Sequence, residues 1–179
     1  MMIGNLTKIV YIIISLFVFL FFSTVIGVCD ECVKGNCVNG YGTMRTRGGV
    51  VKGIFKNGKL NGKGVLKTFE GDIYEGHFSD NTFDGYGVLR NIDSSIVYKG
   101  QYKKGVSHGS GTLENKKMGM TYTGEWYNGL FIKGTWQTND GTKYVGELKN
   151  MKFHGKGVLT LPDGKKYSGR WANGEFLGK

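Results

Sequence analysis

Aromatic and small residues alternate along most of this chain with a period of two, the signature of a half-buried β-strand, and the alternation is renewed every 22 to 24 residues. The unit is aromatic-x-Gly-x-aromatic, a turn, and then Gly-x-Gly followed by apolar residues. Its cleanest copies are Tyr74 to Phe78, Tyr98 to Tyr102, Tyr122 to Trp126, Tyr144 to Leu148 and Tyr167 to Trp171, with a degenerate first copy at Val51 to Phe55. The central glycines Gly53, Gly76, Gly100, Gly124, Gly146 and Gly169 stand 23, 24, 24, 22 and 23 residues apart. A repeat this regular means that each unit buries its apolar face chiefly against its neighbours, so the core is elongated.

Within one unit, Tyr98, Gly100 and Tyr102 share a face of an extended strand. Glycine in a strand costs about 0.5–1 kcal/mol relative to alanine, so its recurrence calls for a reason, and the spacing points to a socket where an aromatic ring lies over bare backbone. Asn57-Gly58, Asn128-Gly129 and Asn173-Gly174 supply the left-handed conformations of two-residue hairpin turns. Asn81 substitutes for the turn glycine, whereas Met151 predicts a distorted or strained turn. Return strands follow at Gly62 to Leu66, Gly85 to Leu89, Gly109 to Leu113 and Gly155 to Leu159. The fourth hairpin is one residue short, with Ile132 in place of a loop glycine, and should be pinched. Asn39 to Thr43 reads as a return strand without its partner, and the last copy ends at Lys179 before any return strand. That leaves Tyr167 to Trp171 as an unpaired edge open to a second copy of the chain. The expectation is an all-β, single-layer antiparallel meander of stacked hairpins, six hairpins and about 12 strands, which twists into a coil or trough.

A different regime precedes the repeats. Lys8 is followed by an apolar stretch from Ile9 to Phe22 and by small residues near Gly27. This reads as a hydrophobic helix, residues 1–27, serving either as a signal peptide cleaved after Gly27 or as an uncleaved signal anchor. Lys8 before the stretch and Asp30 and Glu31 after it send the repeats out of the cytoplasm under both readings: secreted, periplasmic or membrane-anchored. Residues 28–39 form a cysteine-containing N-terminal cap and residues 40–179 the repeat array. Export favours a disulfide, with Cys32 and Cys37 as the candidate pair and Cys29 left over. A zinc site lacks a fourth ligand, the nearest histidine being His77.

Charge and candidate chemistry alter this picture little. The chain has 24 Lys and Arg against 14 Asp and Glu. Lys59, Lys63, Lys104, Lys133, Lys152 and Lys156 fall in or near the hairpin loops, which in a meander collect along one border. Such a stripe suits anionic headgroups or acidic polymers, with binding that weakens as salt rises, while the export signal speaks against nucleic acid. His108 and His154 occupy a loop slot that Asn61 and Asp84 fill elsewhere, and no positioned carboxylate or nucleophile accompanies them or His77. Gly62-Lys63-Gly64 lacks the strand-to-helix setting of a phosphate loop. No enzyme activity, cofactor or metal is expected. The rings Tyr74, Phe78, Tyr98, Tyr102, Tyr122, Trp126, Tyr144, Tyr167 and Trp171 either pack the ribbon or line a groove.

With Tyr-x-Gly-x-aromatic, Asn-Gly, Gly-x-Gly and a period near 23 residues all present, the tract from Gly40 to Lys179 resembles an array of MORN repeats. The resemblance implies a curved single-layer sheet acting as a scaffold or adaptor, and partners of the kinds linked to that family: proteins, phosphoinositide-rich membranes and a second copy of the chain. A surface-carbohydrate module is the alternative reading, and a regulatory subunit of an enzyme a more distant one.

Overall fold

A computed structural model describes residues 30–179; the expected leader, residues 1–27, and Cys29 lie outside the described residues. Fourteen strands make one open sheet in which every strand pairs antiparallel with the next in sequence. In chain order they are β1 (Glu31–Gly35), β2 (Gly40–Thr46), β3 (Gly49–Lys56), β4 (Lys59–Thr68), β5 (Ile73–Ser79), β6 (Thr82–Arg90) and β7 (Ile96–Lys103). They continue with β8 (Val106–Asn115), β9 (Met120–Tyr127), β10 (Leu130–Thr138), β11 (Lys143–Lys149), β12 (Lys152–Thr160), β13 (Lys166–Ala172) and β14 (Glu175–Gly178). Among the described residues no helix is long and apolar enough to cross a membrane.

Both ends of the array differ from the sequence expectation, which explains the count of strands. The return strand at Gly40 has its partner: β1 pairs with β2, and Cys32 is bonded to Cys37 across the loop between them. The last copy also closes, because Trp171 pairs with Phe176 and Ala172 with Glu175. Tyr167 to Trp171 is therefore an interior strand with β12 on one side and β14 on the other. The free edge is the four-residue β14, too short a template for the expected pairing through Tyr167 to Trp171.

Down the middle of the sheet runs a seam. Each strand from β1 to β13 contributes one glycine, and each of these is the direct cross-strand partner of the next: Gly35, Gly42, Gly53, Gly64, Gly76 and Gly87, then Gly100, Gly111, Gly124, Gly134, Gly146, Gly157 and Gly169. Backbones approach there too closely for side chains. A Cβ on Gly100 would lie 2.5 Å from the Cα of Gly111 and 2.7 Å from the carbonyl oxygen of Ser110, and one on Gly111 would lie 2.2 Å from the Tyr98 hydroxyl. The expected socket is thus two glycines wide, shared by neighbouring strands and filled by the ring two residues before the first of them.

Two apolar rows flank the seam on one face. Val51, Leu66, Tyr74, Tyr98, Leu113, Tyr122 and Tyr144 form one, and Phe55, Leu60, Phe78, Phe83, Tyr102, Trp126, Phe131, Leu148 and Trp171 the other, all buried. A flat single layer would leave such a face in water. Here the rings lean over the glycines from both sides and meet, as in the perpendicular contacts of Tyr74 with Phe78 at 5.1 Å and Tyr98 with Trp126 at 5.2 Å. Pairs of this kind add about 0.5–1.5 kcal/mol each beyond simple area burial.

Turns lock one repeat to the next. Gly58 N donates to Val38 O at 2.9 Å, Asn81 N to Leu60 O at 3.0 Å, Gly105 N to Phe83 O at 2.9 Å, and Gly129 N to Ser107 O at 2.9 Å. The Asn57-Gly58 turn has φ of 52° and 75°, as a type I′ hairpin requires. Met151 takes the same conformation, φ 61°, at a cost of about 1–2 kcal/mol for an L-residue with a Cβ, while its side chain packs against the core. The turn is kept and the strain accepted. The fourth hairpin is pinched as expected: only Ile132 is extra between the Phe131 and Lys133 pairings, where the hairpin of β7 and β8 accommodates more residues between Ser107 and Gly111.

Alanine at Gly100 should lower stability by about 1–3 kcal/mol, the usual cost of overpacking, since backbone rather than a mobile side chain blocks the new methyl. Alanine at Gly48, which meets nothing within 4 Å, should change it by less than about 0.5 kcal/mol. Urea denaturation of the two variants checks the difference, and equal losses would contradict the seam.

Candidate functional site

The two faces of the sheet have different chemistry, and the alternation of strand side chains decides which residues go where. Eight of the nine expected repeat rings are buried inward: Tyr74, Phe78, Tyr98, Tyr102, Tyr122, Trp126, Tyr144 and Trp171. The ninth, Tyr167, is half-buried against the same cluster. They pack on one another rather than lining an open groove. Three of the tyrosine hydroxyls close on the backbone: Tyr74 donates to His77 O at 3.0 Å, Tyr98 to Gln101 O at 3.2 Å, and Tyr144 to Glu147 O at 3.1 Å. Trp126 Nε1 donates to Gly111 O at 3.1 Å and Trp171 Nε1 to Gly157 O at 3.2 Å. Both acceptors belong to the glycine seam.

Burial decides the acidity of these phenols. It pushes Tyr122 and Tyr144 up to about 12 and raises Tyr74, Tyr98 and Tyr102 as well. At Tyr98 the nearby Ser107 hydroxyl offsets part of that effect. Tyr102 Oη and Ser107 Oγ themselves make no hydrogen bond of ordinary geometry.

The outward face carries the exposed groups. Beside the seam stand Tyr41 and Ile54, which are cross-strand partners, then Lys63 opposite His77 and Tyr86 opposite Gln101. Tyr41 is 61% exposed and Tyr86 57%. Towards the C-terminus the same row turns ionic: Lys133 faces Glu147, and Lys156 faces Arg170. Lys156 and Arg170 border a shallow depression with Lys179, over the bare backbone of Gly157 and Gly169. Like charges directly opposite each other on a sheet are unfavourable without a counter-charge, so this end of the face suits an anionic partner.

The six lysines expected along a single border divide into two sets. Lys59, Lys104 and Lys152 sit at the hairpin turns, whereas Lys63, Lys133 and Lys156 lie within β4, β10 and β12 on the outward face. Ion pairs within 4 Å join Lys99 to Glu114 and Lys117 to Asp93. Lys117 and Ser95 hold the Asp93 carboxyl well below the usual range. His108 and His154 precede Gly109 and Gly155 within β8 and β12 rather than in the loop slot the repeat pattern predicts, and His77 Nδ1 lies 3.1 Å from Tyr86 O on the outward face. The structure does not bring these histidines together. The outward patch of Tyr41, Ile54 and Tyr86 was missed in the sequence, although its parity relative to the seam glycines marks it.

The family model described as MORN repeat matches residues 52–73, 74–95, 98–116, 122–131 and 144–166. The shortest match stops at Phe131, immediately before the pinched loop. No curated protein gives a significant match.

Raised phenol values fix a sign. An unfolded tyrosine ionises near 10 and folded Tyr122 and Tyr144 near 12, so above pH 10 the unfolded state loses protons that the folded state keeps. The stabilisation is complete below pH 10 and is lost as pH rises towards 12. Phenolate absorbance recorded with urea melts across this window should show falling stability and a late-titrating tyrosine class. A single class ionising near 10 in the folded protein would contradict the packing.

Proposed function

Since the chain belongs to the MORN repeat family, we propose that it is a non-catalytic repeat adaptor that docks on an anionic surface through the outward face of its C-terminal repeats. The observation that carries this reading is the Lys156–Arg170 cross-strand pair beside Lys179. It lies in a stretch, residues 133–179, with nine Lys and Arg against four Asp and Glu. Backbone without side chains between these cations lets a flat, charged headgroup layer approach closely, and attraction of this kind is worth about 1 kcal/mol per cation near the surface.

A second docking function is favoured by the other end of the same face. Tyr41, Ile54 and Tyr86 expose apolar area beside the seam, a composition suited to a protein partner. One rigid ribbon would then hold a protein at its N-terminal end and a surface at its C-terminal end. The leader read from residues 1–27 supports placing this activity outside the cytoplasm, with the chain secreted, periplasmic or membrane-anchored, and the short β14 edge leaves homodimerisation as a weaker contact. Sugar binding has less support, because the repeat rings are buried in the core.

Vesicles containing anionic lipid should sediment with the protein at low salt and release it as salt rises, and Lys156→Glu with Arg170→Glu should reduce binding at least tenfold. Neutral vesicles should not bind. Binding that is unchanged in the double variant would contradict the cationic face, and salt-insensitive capture of a protein partner alone would leave only the adaptor end of the reading.

A further inference from the structure

The first cross-strand pair beyond each hairpin turn holds one register position, on the opposite parity from the buried pairs Phe55–Leu60 and Trp126–Phe131 that follow it. Lysines gather there in alternate hairpins. Lys56 faces Lys59, Lys103 faces Val106 with Lys104 beside it in the turn, and Lys149 faces Lys152. All six lysines are exposed. Every hairpin of the meander turns on the same border, so the three groups stand in one line.

Among the described residues none of the six lysines is in an ion pair. The carboxylates of the intervening hairpin are engaged elsewhere, Asp80 accepting from Asn61 Nδ2 at 3.2 Å and Asp84 from the backbone N–H of Lys104 at 3.3 Å. Like charges facing each other across strands are unfavourable, so Lys56 with Lys59 and Lys149 with Lys152 call for negative charge from outside the chain.

Between the second and third lysine groups the same register position holds Tyr127, paired with Leu130. It is not a repeat ring: it follows Trp126 on the opposite parity and is 57% exposed. The His108 ring braces it at 5.2 Å and 48°. Strands about 4.8 Å apart put Tyr127 about 10 Å from the lysines on either side, and those two groups about 19 Å from each other. Hydrogen bonds from Gly105 N to Phe83 O and from Gly129 N to Ser107 O tie two of these turns to the preceding repeats, so backbone sets the spacing and little order remains to be lost on binding.

We infer that the turn border from Lys103 to Lys152 binds a linear acidic polysaccharide. One sugar ring lays its C–H face on Tyr127, whose ring face is electronegative, and acid groups on either side of that sugar meet Lys103 with Lys104 and Lys149 with Lys152. A nucleic-acid strand stacks successive bases on several rings, whereas a single exposed ring stands between these lysine groups. Lys156 and Arg170 take no part, so the site stands or falls apart from the proposed surface contact.

The test is calorimetric titration of the full chain with a galacturonic acid hexamer and a heparin hexasaccharide. The controls are the galacturonic acid dimer, too short to reach both lysine groups, neutral maltohexaose, and an oligothymidylate of equal charge. At least one acidic hexamer should bind, more weakly as salt rises, and the hexamer that binds identifies the acid group. Tyr127→Ala, and separately Lys103→Gln with Lys149→Gln, should each weaken binding about tenfold or more, while Lys156→Glu with Arg170→Glu, which removes the vesicle contact, changes it less than about threefold. These side chains are exposed, so Tm should stay at the unsubstituted value and a loss of binding reads the site rather than the fold. Failure of both acidic hexamers to bind, equal binding by the dimer or after Tyr127→Ala, or tighter binding of the oligothymidylate overturns the inference.

Discussion

Everything in this sheet depends on how near an aromatic ring can come to a strand's backbone. At the seam, a ring hydroxyl lies where the Cβ of any other residue would be, 2.3 Å from its ideal position on Gly87 and 2.1 Å on Gly157. Because glycine stands at the same register on every strand from β1 to β13, the close approach is continuous, and rings from both sides lean over it and meet. A single layer thereby acquires an interior. The indole N–H groups of Trp126 and Trp171 close on seam carbonyls, so the polar ends of the large side chains are tied to the same line of backbone that admits them.

This constraint acts locally, so departures from the repeat stay local as well. Ile132 shortens one hairpin without disturbing the glycine pairings at Gly124 and Gly134, and Met151 accepts a left-handed turn. In an array where each unit contacts only its neighbours, such changes cost stability near themselves and leave the distant repeats standing. That tolerance is what makes room for function: the inward face must be kept for packing, but the whole outward face is free to vary from apolar at Tyr41 and Ile54 to cationic at Lys156 and Arg170.

The meander, the hairpins and the sharing of one strand face by the rings were legible because period-two alternation and glycine recurrence are properties of residue order. The choice between packing and a groove needed the ring contacts across strands. The seam itself was only half visible: a socket under each ring followed from Tyr98, Gly100 and Tyr102, but its sharing by facing glycines depends on cross-strand register. Both ends were misread because Glu31 to Gly35 and Glu175 to Gly178 lack the aromatic spacing of the other strands, and pairing with an existing edge supplies the order that their own pattern does not. The lysines were assigned to one border by their distance from Asn-Gly turns, whereas strand parity sends Lys63, Lys133 and Lys156 to the outward face.

The most direct measurement is of magnetisation transfer between tyrosine ring protons and glycine α-protons in solution. Rings seated on the seam should give strong cross-peaks from Tyr74 to Gly87, Tyr98 to Gly111 and Tyr144 to Gly157, with those α-protons displaced by the ring currents. Ordinary glycine shifts and no such cross-peaks, in a protein that nevertheless has its full strand content, would show that something other than ring-over-backbone packing holds the sheet.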